Sequence, residues 1–82
     1  MAWSALVRTW NTERKTYDSL ILRIDETPEP GCLMRLYEGE SVIAEVLEDS
    51  PQSAMAKALE MARAYLKDAS LTEENVSWIQ VR

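Results

Sequence analysis

Apolar and polar residues alternate through the first half of the chain and change to a helical spacing in the second. Residues 17–25 carry the clearest alternation. Leu20, Leu22 and Ile24 fall on one side, and Ser19, Ile21 and Arg23 on the other, the period-two pattern of a strand that buries one face. Trp3, Ala5 and Val7 alternate more loosely with Ser4, Leu6 and Arg8. This predicts a first strand over 3–10, with a helix as the competing reading because the stretch is short and Ala and Leu are helix formers. The polar stretch 11–15 between the two reads as a turn.

Glu26-Thr27-Pro28-Glu29-Pro30-Gly31 then breaks regular structure, since each proline removes a ladder donor and glycine tolerates conformations other residues avoid. Residues 32–37 and 41–47 flank Glu38-Gly39-Glu40 and predict a hairpin. A three-residue loop with Gly39 left-handed is preferred, because a two-residue turn centred on Glu38-Gly39 would force Glu38 to positive φ. That register sets Cys32 and Met34 on the same face as Val42, Ala44 and Val46.

From residue 50 the spacing lengthens. Ser50 is placed to cap a helix and Pro51 to occupy its first position. Met55, Leu59, Ala62 and Leu66 make an apolar stripe that Ala58, Tyr65 and Ala69 widen, while Met61 falls towards the flank. Lys57, Glu60, Arg63 and Lys67 take the remaining surface. A polar connection follows, with a short helical turn at 72–74, and residues 76–81 predict a last strand. The order is β-β-β-β-α-β. Strands grouped ahead of one helix point to an α+β fold, an antiparallel sheet of four to five strands with the long amphipathic helix on one face. With 82 residues, one domain over 1–82 is expected.

Composition narrows the chemistry. There is no histidine, which removes Ser-His-Asp and Cys-His catalysis and the usual zinc sites. Two glycines eight residues apart cannot build a phosphate loop. The acids near the turns lack the spacing of a calcium loop and read as a solvated surface. The single cysteine, Cys32, cannot pair within the chain and has no histidine to activate it. On the inward side of its strand it reads as a small core hydrophobe. We therefore expect no catalytic residue, metal or cofactor. The net charge of -5 opposes binding to phosphate backbones. A cytoplasmic protein is expected, because no leader-like or membrane-length apolar run is present and a lone cysteine suits a reducing compartment.

Two candidate surfaces remain. One helix covers one face of a sheet, and the opposite face carries Tyr17, Ile21, Leu33, Tyr37, Ile43 and Leu47 interleaved with Arg23, Arg35 and Glu45. Aromatic and aliphatic residues beside arginine match the composition of protein interfaces. The expected interface comprises Tyr17, Ile21, Arg23, Leu33, Arg35, Tyr37 and Ile43. It would serve a homodimer or a small acidic inhibitor, antitoxin or immunity-like protein with a basic partner. The alternative is a nucleic-acid-binding module at the first turn, where Arg8, Trp10, Arg14 and Lys15 combine an aromatic ring with positive charge.

Two families show partial likeness. Pro30-Gly31-Cys32 with the later Ala54, Ala58 and Ala62 resembles the HicB-type antitoxin domain, although here a whole strand separates the motif from the helix. The hairpin followed by an Ala-rich helix resembles the second half of a double-stranded RNA-binding domain. Its basic helix start is replaced here by Ser50-Pro51-Gln52-Ser53-Ala54. Neither likeness covers half the chain, and no function is carried over from them.

Overall fold

The computed structural model describes residues 1–28 and 31–81. Five strands, β1 (Ala2–Asn11), β2 (Thr16–Glu26), β3 (Cys32–Glu38), β4 (Ser41–Glu48) and β5 (Ile79–Val81), form one antiparallel sheet in the order β4-β3-β2-β1-β5. Helix α1 (Pro51–Leu66) leaves the β4 edge, packs on one face, and the chain returns to the opposite edge as β5. The α+β fold expected from the sequence is the fold observed. Residues 3–10 are strand, as the alternation predicts. Among the described residues no helix is long and apolar enough to cross a membrane.

The core lies between α1 and the sheet. Leu20, Leu22 and Ile24 of β2 meet Cys32, Met34 and Leu36 of β3, all at most 2% exposed. Each large side chain removed from water this way contributes roughly 1.5–3 kcal/mol. The helix lies closest along Ala54, Ala58 and Ala62, which are fully buried. Side chains that end at Cβ let the helix backbone approach the sheet, so larger groups from the strands fill the space between. This moves the contact stripe off the expected line: Tyr65 and Ala69 are exposed rather than part of it. Met61 packs at its margin.

The helix begins where the capping chemistry places it. Ser50 is extended, and its hydroxyl accepts the Ser53 N–H at 3.1 Å. It ends at Lys67, which takes the left-handed conformation (φ 53°). Asp68, just past this end, accepts a hydrogen bond from the Thr9 hydroxyl of β1 at 2.6 Å. The Ser70 hydroxyl and N–H also donate to it. These bonds hold the Asp68 carboxyl below its usual pKa.

Two expectations are corrected at the β3–β4 hairpin. Glu38 pairs with Ser41, leaving a two-residue turn with Gly39 first, at φ 61°. Positive φ thus falls on glycine without involving Glu38, the strain that argued for a longer loop. The shorter turn alone would shift every β4 side chain to the wrong face. A β-bulge between Leu36 and Tyr37 compensates: Leu36 faces Ala44, but Tyr37 faces Val42. Ile43 is the extra residue and packs against the core, so it is not on the helix-free face as expected. Val42, expected inside, stands opposite Tyr37 and is 50% exposed.

The last strand is shorter than the alternation suggests. Val76 is buried and Trp78 packs against the core before pairing with β1 begins at Ile79. The segment leaves the sheet edge to close the end of the core, which costs it the ladder. The Glu29-Pro30 part of the expected break, and with it the proline of the HicB-like motif, lies outside the described residues.

Candidate interaction surface

The strand register fixes what the helix-free face presents. Residues directly opposite each other in an antiparallel ladder share a face, so the pairings can be read as rows across the sheet. The central row is apolar from end to end: Leu6, Ile21, Tyr37 and Val42, one from each of β1 to β4. Leu6 is 58% exposed and Ile21 42%.

The next row runs Ile79, Ser4, Arg23, Arg35 and Glu45. Arg23 and Arg35 are directly opposite, a repulsive arrangement on its own. Each is neutralised on the same face. Arg23 donates two hydrogen bonds to Asp25, at 2.9 and 3.0 Å. Arg35 donates to Glu45 at 2.8 Å. Hydrogen bonding to these carboxylates holds both guanidinium groups charged more firmly than usual. Beyond this row Leu33 faces Leu47, itself largely exposed. An open depression of about 790 Å³, lined by Ala2, Arg23, Asp25 and Val81 among others, ends the face there.

At the other end Trp10 and Tyr17 face each other with ring centroids 5.1 Å apart in an edge-on arrangement. The Arg8 guanidinium lies 5.1 Å from the Tyr17 ring centre. The turn beyond is held by Asn11, whose side-chain oxygen accepts the N–H groups of Glu13 and Arg14. Lys15 closes it in the left-handed region (φ 54°). Arg14 is paired with Asp18, to which Asn11 also donates at 3.0 Å.

The expected interface residues Tyr17, Ile21, Arg23, Leu33, Arg35 and Tyr37 therefore share this face, and Ile43 does not. Leu6, Val42 and Ile79 belong to it and were missing from the expectation. Leu6 was visible in principle, since burial of Ala5 and Val7 requires its neighbour to point out. Val42 is hidden by the bulge, and Ile79 because the 76–81 pattern does not by itself fix which face of the last strand packs inward. Arg8 and Trp10 gather beside Tyr17, whereas Arg14 and Lys15 belong to the turn beyond.

Elsewhere two carboxylates are engaged by hydroxyl groups of the helix. Glu38 accepts from the Tyr65 hydroxyl at 2.8 Å and Glu48 from Ser53. Cys32 is 2% exposed, and burial pushes its thiol pKa up. A cavity of about 250 Å³ between α1 and the C-terminal segment is lined by Met55, Leu59, Val76 and Trp78 among others. This is below the roughly 300–1,000 Å³ usual for small-molecule sites. Comparison with protein-family models, with curated proteins and with solved structures gives no match to this chain.

Proposed function

We propose that the protein is a non-catalytic interaction domain and that the helix-free face of its sheet is the binding surface for another protein. The observation that carries this reading is the unbroken apolar row Leu6-Ile21-Tyr37-Val42 across four strands, in which Leu6, Ile21 and Val42 are exposed and Tyr37 is half-buried. Large contiguous apolar patches are uncommon on soluble monomers and mark contact sites. Burying the row would remove Leu6, Ile21 and Val42 from water. The ionic row beside it would set the polar margin.

The charge pattern bears on the partner. Arg23 and Arg35 are matched by Asp25 and Glu45, so these four groups sum to zero while the chain carries -5. A strongly basic partner would be drawn to other surfaces of the molecule. Nucleic-acid binding at the Arg8–Trp10 end is less well supported. Arg8 already occupies space over the Tyr17 ring, Trp10 meets that ring edge-on, and Asp18 neutralises Arg14.

The test compares two baits in a host extract, the natural chain and the double variant Ile21→Asp/Tyr37→Asp. Proteins retained by the first and lost with the second, with circular dichroism unchanged, support the reading. An identical set of bound proteins and an identical oligomeric state for both baits would overturn it.

A further inference from the structure

Building on that reading, we infer that the occupant of the helix-free face is a second copy of this chain, packed sheet to sheet to give an α/β/β/α sandwich. Three features of the face select this occupant. The first is electrostatic. Two copies of a chain carrying -5 repel each other in the mean field, so association is cheapest where the local charge vanishes. The central and Arg23–Arg35 part of the helix-free face meets that condition, because Arg23 is neutralised by Asp25 and Arg35 by Glu45, while the third arginine, Arg8, lies at one end over the Tyr17 ring. Neither Arg23 nor Arg35 needs an acid from outside, so a complementary surface is apolar and neutral. The same face on another copy has those properties.

The second feature is area. At a strand spacing of about 4.8 Å and a rise of about 3.3 Å per residue, the paired strand segments between Leu33 and Tyr17 cover roughly 500 Å² of sheet. Side-chain relief raises this towards the ~800 Å² per partner of a standard stable interface.

The third is placement. The apolar row lies in the middle of the face, with the ionic row on one side and the Arg8–Tyr17 end on the other. A two-fold axis along that row stacks Leu6, Ile21, Tyr37 and Val42 on their own counterparts. The contact is then self-complementary with a buried apolar centre.

Sedimentation equilibrium of the purified full chain, over a concentration series, tests this. A reversible dimer is expected. Ile21→Asp should weaken it by roughly 100-fold or more, because the substitution acts twice in a symmetric contact. Leu6→Ser is the second variant. It adds no charge, and it should weaken the dimer by roughly 10-fold. Circular dichroism and urea unfolding establish that each variant is folded. A chain monomeric at every concentration overturns the self-association inference. The interaction reading survives that result if bait capture still depends on Ile21 and Tyr37. A dimer equally strong in the natural chain and in both folded variants places the contact elsewhere and also overturns the inference.

Discussion

Leu22 and Ile21 are neighbours in β2 with nearly the same side-chain volume, yet Leu22 is fully buried and Ile21 is 42% exposed. They stand for the two faces of the sheet. On the covered face large side chains from β2 and β3 fill the space left by a helix that presents alanine. On the open face similar residues stand in rows with no described element packed over them, and Arg23 and Arg35 there are paired with Asp25 and Glu45. Apolar content alone does not separate a core from a binding surface. What separates them is whether the fold supplies a second layer.

The sharpest way to break this comparison is to truncate both neighbours. Leu22→Ala should cost roughly 2–5 kcal/mol in urea unfolding, because it leaves a cavity in a packed core. Ile21→Ala, measured at concentrations too low for association, should cost less than about 1 kcal/mol. Equal losses would show that the open face is structural in the monomer.

The reverse substitution sharpens the contrast. Ala58→Leu adds volume where the helix is closest and should destabilise by about 1–3 kcal/mol. Ser19→Val on the open face should stay within about 0.5 kcal/mol of the natural chain. Unfolding midpoints of the two variants check this.

The smallest effect concerns acid. Asp68 ties the end of α1 to Thr9 on the covered side, and its pKa is lowered by the hydroxyls of Ser70 and Thr9 and the Ser70 N–H. A carboxyl depressed in the folded state contributes stability that is complete above its unfolded value, about 3.9. That contribution is lost as pH falls through the lower folded value. Asp68→Asn should therefore flatten the part of the acid unfolding curve below pH ~4, while the uncharged substitution Leu6→Ser on the open face leaves its shape unchanged. A curve of the same shape for Asp68→Asn would remove Asp68 from the account.

Much of the fold was legible in the sequence because its signals are local. The Leu20-Leu22-Ile24 alternation, the Ser50-Pro51 start and the Ala-rich helix each follow from side-chain period and from capping groups a few residues apart. The hairpin was legible only in outline. Choosing between turn lengths depended on strain at Glu38 and on the apolar pattern of β4. The structure satisfies both by a route that pattern reading does not reach, a glycine-first turn with a bulge. That one extra residue exchanges the faces of Val42 and Ile43. It is why six of the seven expected surface residues lie on the open face and the seventh lies against the core.

The amino-acid sequence by itself determined the kind of protein: an α+β chain without histidine, with one helix for a whole sheet and one face left over. Period, capping and composition are properties of short stretches, and they survive without knowledge of distant neighbours. Only the tertiary structure decided what the leftover face is made of. Strand order joined Leu6, Ile21, Tyr37 and Val42 into one row, register set Arg23 against Arg35, and side-chain pairing neutralised both. Apart from the Arg23–Asp25 pair, two residues apart on one strand, these are relations between residues distant in the chain. They exist once the register between strands is set, because a shift of one residue would send every side chain to the other face.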